Sequence, residues 1–217
     1  TLRAGEVHTL RVTIRRLRAC LWALRTDARY SAQSKKLRSD LRMLGATLGR
    51  IRELDVAIQD TITYGIKMPN LCSERNKALK QAIRILHRAS VCKLSKRITA
   101  FARSVEGPLR LRTALDPLVK QLMRSRKEIR PLSQQHAHRM RLLLKKSRYV
   151  LESIGSVPSL LINTQQLLGR LRDLSMLQSR VGTARTIQAD TAVIRKRLQV
   201  DLGPALELAA QKLSTVR

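Results

Sequence analysis

Hydrophobic residues recur every three or four positions along nearly the whole chain, and no segment alternates at every second position for long. The first pattern places apolar side chains on one face of an α-helix, whereas the second is typical of a strand. Glycine and proline interrupt the pattern at several points where helices commonly end. The sequence therefore predicts an all-α fold, with helices at about 4–30, 33–64, 70–105, 109–128, 132–154, 159–181, 183–201 and 204–216.

Two segments of the chain occur twice, and in the same order. HTLRVTIRRLR at 8–18 is similar to HRMRLLLKKSR at 138–148, and LGRIRELDVAI at 48–58 is similar to LGRLRDLSMLQ at 168–178. An internal repeat of this kind indicates two structurally related units. We therefore expect two pseudo-symmetric four-helix bundles within a single domain, formed by residues 1–130 and 131–217.

The charge of the chain narrows the choice of partner. Lys and Arg number 44 against 15 Asp and Glu, which gives a net charge of +29, while 43% of the residues are hydrophobic and can form a core. Such one-sided charge repels itself in a compact protein and favours a polyanionic partner. Aromatic residues make up only 2% of the chain, so there is little surface on which nucleic-acid bases could stack. The composition favours recognition of phosphates rather than bases.

On four predicted helices a stripe of basic residues lies beside the apolar stripe. At about 100° per residue, the first basic stripe contains His8 and lies beside apolar positions that begin at Leu10. The apolar stripe is Leu10, Ile14, Leu17, Leu21 and Leu24, and the basic one is His8, Arg11, Arg15, Arg18, Arg25 and Arg29. The other basic stripes are Lys35, Arg38, Arg42 and Arg52; Lys77, Lys80, Arg84 and His87; and His138, Arg141, Lys145 and Arg148. The apolar stripes beside them are Leu37, Leu41, Leu44, Leu48 and Ile51; Leu79, Ile83 and Leu86; and Met140, Leu144 and Leu151. If the stripes converge they line a cleft that attracts a polyanion; the alternative is a set of solvated helix faces.

Three further residues stand out from the pattern. Asp55 falls inside the apolar stripe of the second helix, where a carboxylate needs a basic partner from a neighbouring helix. We expect Asp55 to be structural rather than catalytic. His8 and His138 admit three interpretations: a buried hydrogen-bonded residue, a proton-sensitive phosphate contact, or a metal ligand. The last is the weakest, because no HxxxH motif or Cys/His cluster accompanies either residue.

The doubled pattern H-x-x-R-x-x-x-[RK]-[RK]-x-R, each copy followed by L-G-R-x-R-[DE]-L, resembles the conserved-histidine α-helical (CHAD) domain family over essentially the whole chain. The resemblance implies paired four-helix bundles around a basic central cavity, binding of inorganic polyphosphate, and association with polyphosphate granules. It marks His8, Arg11, Arg15, Arg18, His138, Arg141, Lys145, Lys146 and Arg148 as binding residues. The basic stripes add Arg25, Lys35, Arg38, Arg42, Arg52, Lys80 and Arg84.

The second copy departs from this pattern in two places. Asn163, Gln165 and Gln166 stand where the first copy carries a basic file, so we expect the second half to contribute less charge. Ser175 replaces an expected acid after Leu174, which puts one structural ion pair in doubt.

Motifs of catalysis are missing from the sequence. It contains no GxxxxGK[ST] loop, HExxH helix or GxSxG elbow, and its acidic residues are too scattered to hold Mg²⁺. We therefore expect a binding protein without catalytic residues, cofactor or metal. A protein that binds the phosphate backbone of duplex nucleic acid is the main alternative. A phosphohydrolase, or the regulatory subunit of one, is the third.

The cysteines and the hydropathy bear on location. Cys20, Cys72 and Cys92 are odd in number and widely spaced, which is typical of reduced thiols and predicts a cytoplasmic protein. No apolar run reaches the length of a membrane span.

Overall fold

The computed structural model describes residues 3–88, 91–107, 111–129, 132–155, 157–182 and 184–216. Within these ranges the chain forms helices and no strand, so the all-α prediction is confirmed. The helices are α1 (Ala4–Ala23), α2 (Ser31–Thr63), α3 (Leu71–Arg88), α4 (Val91–Ser104), α5 (Leu111–Lys127), α6 (Gln134–Ile154), α7 (Ser159–Val181) and α8 (Arg185–Ser214). A short 3-10 turn, Leu24–Thr26, follows α1.

The chain divides into two compact units, Thr1–Leu109 and Arg110–Arg217. The first contains α1 to α4 and the second contains α5 to α8. The sequence predicted that the first repeat ends at residue 130 and the second begins at 131. Both positions lie outside the described residues. That predicted boundary assigned α5 to the first repeat. The compact units differ from this prediction because α5 packs along α8 and against α6. The pseudo-symmetry of the repeats stays a prediction.

Three predictions of helix bounds differ from the structure. The predicted helix 4–30 ends at Ala23 and is followed by the 3-10 turn. The predicted helix 70–105 occurs as α3 and α4, with 89–90 outside the described residues. The predicted break at Gly203 and Pro204 is wrong, because α8 continues through both residues. Proline removes one helical hydrogen bond, but Leu202, Ala205 and Leu206 are fully buried on either side of it, so packing outweighs that loss. The helices consequently number five before the predicted boundary and three after it in the described ranges.

The core of the first unit forms where α1 and α3 pack against α2. The apolar stripe predicted for α2, formed by Leu37, Leu41, Leu44, Leu48 and Ile51, is buried. On α1, Ile14 and Leu21 are buried as predicted, but the prediction that Leu10 is buried is wrong, because it is 42% exposed and Val7 is buried in its place. The spacing of seven residues between Val7, Ile14 and Leu21 shows that α1 packs through a narrow seam, which leaves Leu10 beside it.

The apolar stripe predicted for α3 is also displaced. Ile83 belongs to the predicted apolar stripe but is 37% exposed, whereas the neighbouring Ala82 is 1% exposed. Leu79 is buried as predicted. The face of α3 that meets α2 therefore runs through Leu79 and the small Ala82, and Ile83 lies at its margin.

The second unit is organised around α8, which packs against α5, α6 and α7. On α6, the predicted core residues Met140, Leu144 and Leu151 are buried. None of the helices in the described ranges has an apolar stretch long enough to cross a membrane.

A buried ion pair joins α2 to α3. Asp55 Oδ1 accepts a hydrogen bond from Arg75 Nε at 2.6 Å, and the Asp55 side chain is only 4% exposed. The prediction that Asp55 pairs with a basic residue of a neighbouring helix is thus confirmed. At the matching position of the second unit, Ser175 Oγ accepts a hydrogen bond from Gln134 Nε2 at 2.5 Å. A neutral contact therefore stands where the first unit has an ion pair.

We predict that Asp55→Ala lowers the free energy of unfolding by about 3 kcal/mol, because it leaves the largely buried Arg75 without its carboxylate. Urea denaturation followed by circular dichroism measures this change. Asp40→Ala is the matched control on the same helix, since the ion pair of Asp40 with Arg97 is exposed and should contribute about 1 kcal/mol or less. Equal losses in the two variants would contradict the importance of burial at Asp55.

Candidate functional site

A groove of about 230 Å³ lies between α1 and α2 of the first unit, and we call it the arginine groove. Its lining residues are Arg11, Ile14, Arg15 and Arg18 from α1, and Arg42, Gly45 and Ala46 from α2. The groove therefore brings together basic residues of two stripes that the sequence predicted separately.

Small residues on α2 permit the close approach that forms the groove. A Cβ atom added at Gly45 would lie 3.4 Å from Ile14 Cγ2, so a larger side chain there would push α1 away. The same glycine exposes its carbonyl oxygen, which accepts a hydrogen bond from Arg11 Nη1 at 2.8 Å. Arg11 thus lies across the backbone of α2 at one side of the groove.

The arginines of the groove repel one another. Burial lowers the pKa of Arg18, and the positive charges of Arg38, Arg42 and Arg15 lower it further. Burial also lowers the pKa of Arg38. In the part of the chain that the structure describes, no carboxylate forms an ion pair with any of these four arginines. The positive charges of these four residues are therefore close together without an ion-paired carboxylate among the described residues.

The side chain of Arg18 also buries a hydrogen-bond donor. Its Nε atom is buried and has no hydrogen-bond partner among the described residues. A buried donor without an acceptor costs free energy, because it has lost its hydrogen bonds to water. An anion in the groove would offset the charge that surrounds this side chain.

Arg25 extends the basic stripe beyond the groove. Its guanidinium carbon lies 3.6 Å from the centroid of the Trp22 ring, and its Nη1 donates to the Trp22 carbonyl oxygen at 3.0 Å. Burial, followed by the charge of Arg38, lowers the pKa of Arg25. The cation–π contact holds Arg25 in place although a like charge is close by.

His8 extends the stripe at the other end. Its pKa is lowered from the ordinary value of 6.5, first by partial burial and then by the charges of Arg52, Arg15 and Arg11. Both His8 and His138 are exposed, so the interpretation of either as a buried residue is wrong. No group of three or more His, Cys, Asp or Glu in the described ranges could hold a metal ion. A phosphate contact stays the prediction for both histidines.

Three predicted binding residues of the first unit lie away from the groove. Lys35 on α2 and Lys80 and Arg84 on α3 are exposed, and none of them lines it. Their role as ligand contacts remains a prediction.

In the second unit, the arginine that matches Arg18 is hydrogen-bonded to neighbouring side chains. Arg148, the counterpart of Arg18, donates from Nε to Glu152 Oε1 at 2.8 Å and from Nη1 to Gln165 Oε1 at 2.9 Å. Arg141, Lys145 and Lys146 on the same helix are partly buried. The charge of Arg148 is thus balanced within the unit.

Sequence reasoning missed two features of these sites. Glu152 follows Arg148 by four residues, a spacing that predicts an ion pair on a helix. Gly45 precedes Gly49 of the LGR motif by four residues, so both glycines lie on one face of α2. That spacing could have indicated a close approach of another side chain to the α2 backbone.

The family model of the CHAD domain matches residues 1–182, a range that includes both copies of the repeated motifs. The chain therefore belongs to the CHAD domain family. Among solved structures it is similar to PptA from Streptomyces chartreusis, with a TM-score of 0.66 and 17% sequence identity over 97% of this chain and 89% of that chain. At this identity the likeness establishes the fold alone. Comparison with the curated proteins finds no match.

We predict that the pKa of His8 lies below 6.5 in the free protein and rises when a polyanion binds, because the anion offsets the neighbouring arginines. The unfolded chain then binds this proton more readily than the folded one, so this residue makes the protein less stable as the pH falls below 6.5. An NMR titration measures the pKa, with His8→Gln to assign the signal. A value at or above 6.5 in the free protein would contradict this electrostatic account.

Proposed function

We propose that this CHAD protein binds inorganic polyphosphate in the arginine groove and does not catalyse its breakdown. The observation that carries the proposal is the crowding of Arg15, Arg18 and Arg42 without an ion-paired carboxylate in the described residues. Family membership supports it, since polyphosphate binding is the known role of CHAD proteins. In cells, the same binding would bring the protein to polyphosphate granules.

The chemistry of the groove suits a chain of phosphates. Each phosphate offers anionic oxygen acceptors, and arginine presents a planar set of N–H donors that can bind two of them at once. A phosphate that entered the groove would also offset the repulsion that lowers the pKa of Arg18. Binding would therefore add new contacts and relieve an electrostatic cost of the free protein.

Nucleic acid fits the groove less well. One face of Trp22, the single tryptophan of the chain, is already covered by the Arg25 guanidinium at 3.6 Å. A duplex carries its phosphates on a broad surface, whereas a groove of about 230 Å³ accommodates a narrow ligand. These features favour a single phosphate chain over stacked bases or a duplex backbone.

Neutralising the groove should abolish most of the affinity for long-chain polyphosphate. We predict that replacing Arg15, Arg18 and Arg42 together with Gln weakens binding by about a hundredfold or more, because three charge-assisted contacts are lost. The slope of log K against log salt concentration should become shallower by about 2 to 3. The melting temperature of the free protein should stay the same or rise, since mutual repulsion is relieved. Calorimetric titrations at several salt concentrations and thermal melts measure these effects.

The matched control removes the same charge elsewhere in the first unit. Lys93, Lys96 and Arg103 are exposed on α4, and replacing all three with Gln should preserve nearly all of the affinity. Equal losses in the two triple variants would indicate a nonspecific attraction to the net charge. Displacement of polyphosphate by duplex DNA at equal phosphate concentration would instead favour the nucleic-acid alternative.

Incubation with long-chain polyphosphate should release no phosphate, with or without Mg²⁺ or Mn²⁺. We expect this because two-metal phosphate chemistry needs clustered ligands, and no such group occurs in the described residues. A colorimetric phosphate assay over a range of protein concentrations checks the expectation. Release that scales with protein concentration and disappears in the Arg15, Arg18 and Arg42 variant would show that the groove is catalytic.

A further inference from the structure

The guanidinium of Arg11 rests on a part of α2 that carries no side chains. Arg11 Nη1 donates to Gly45 O at 2.8 Å, and this oxygen belongs to the interior of the helix. Gly49 lies one turn further along the same face. A Cβ atom added at Gly49 would lie 3.0 Å from Arg11 Nη1 and 3.9 Å from Arg11 Cζ. The first distance is tighter than most Cβ contacts, so a side chain at position 49 would displace the Arg11 guanidinium by a few tenths of an ångström.

The only neighbour of that added Cβ atom is Arg11. Apart from the backbone of α2 itself, no other atom of the described residues lies within 4 Å of it. At Gly45, by contrast, the added atom would meet the apolar Ile14 in the seam between the helices. Gly45 therefore serves helix packing, whereas an alanine at position 49 would disturb one flexible side chain and leave the packing of α1 on α2 intact.

The second unit contains the same pair of residues. Arg141 matches Arg11, Gly169 matches Gly49, and a Cβ atom added at Gly169 would lie 3.9 Å from Arg141 Nε. This is an ordinary van der Waals distance, so the approach is looser than in the first unit. Gln165 stands where the first unit has Gly45, and its side chain binds Arg148. In both units, the arginine of the H-x-x-R motif thus lies beside the glycine of the L-G-R motif. The approach is closer in the first unit than in the second.

We propose that Gly49 is a positioning residue that sets the orientation of Arg11 in the arginine groove. Gly49 leaves room for Arg11 to bind the Gly45 carbonyl oxygen, and this contact holds the planar guanidinium at the groove wall. A side chain that is already ordered loses less conformational freedom when a ligand binds. The effect on polyphosphate affinity rests on the proposed function, whereas the positioning of Arg11 is a property of the free protein.

A double-mutant cycle with Gly49→Ala and Arg11→Ala tests the proposal. In the free protein, Arg11→Ala should lower the melting temperature in the wild-type background and change it less in the Gly49→Ala background, because the displaced guanidinium already makes a weaker hydrogen bond there. Gly49→Ala should itself keep or raise the helical content, since alanine favours helix over glycine. With long-chain polyphosphate, Gly49→Ala should weaken binding about fivefold to tenfold, and adding Arg11→Ala should cause little further loss.

Gly5→Ala is the matched control, because a Cβ atom at Gly5 on α1 meets nothing within 4 Å. It should leave the affinity unchanged. If Gly49→Ala and Arg11→Ala changed the melting temperature additively, the proposal that Gly49 positions Arg11 would be wrong. Unchanged affinity of Gly49→Ala, measured against a wild-type protein that binds, would overturn its role in binding. If the wild-type protein did not bind polyphosphate, the proposed function would fail, and the melting temperatures would still decide whether Gly49 positions Arg11.

Discussion

The packing of α1 against α2 is the constraint on which the candidate site depends. Val7 and Ile14 enter the seam from α1, and Gly45 on α2 allows the two backbones to approach. The apolar contact brings two basic stripes together, and so it must offset the repulsion between them. Buried hydrophobic area contributes roughly 25 cal/mol for each Å², so a continuous apolar seam can offset several unfavourable charge contacts. The packing of α1 on α2 therefore forms both the groove and this part of the core.

Charged side chains that stabilise the fold have different surroundings from those that line the groove. Asp55, buried between α2 and α3, has Arg75 at 2.6 Å, because an unpaired carboxylate there would be strongly destabilising. Arg18 on α1 and Arg42 on α2 have no carboxylate partner in the described residues. A protein with 15 acidic residues against 44 basic ones keeps some of its acids for structural pairs. The positive charge that is left unbalanced in the groove is what an anionic ligand would neutralise.

The two copies of the repeat have diverged at matching positions. The first unit leaves Arg18 without a carboxylate partner, whereas the second pairs its counterpart Arg148 with Glu152 and Gln165. A neutral serine–glutamine contact likewise replaces the ion pair of Asp55. Repetition of the motif therefore does not imply repetition of its electrostatics, because one carboxylate or amide placed nearby is enough to change the state of an arginine.

The sequence by itself determined the helical class, the family, the buried stripe of α2 and the need of Asp55 for a basic partner. The helical class and the buried stripe follow from periodicity, and the partner of Asp55 follows from the cost of an unpaired buried charge. The family follows from the resemblance of the repeated motifs. All of these are readable from the order of residues along the chain. Only the tertiary structure decided that α5 packs with α8, that α8 continues through Pro204 and that Leu10 is exposed. It also decided that Arg11 rests on Gly45 and Gly49. Each of these outcomes depends on which surfaces meet between helices that are distant in sequence, and helical periodicity carries no information about that choice.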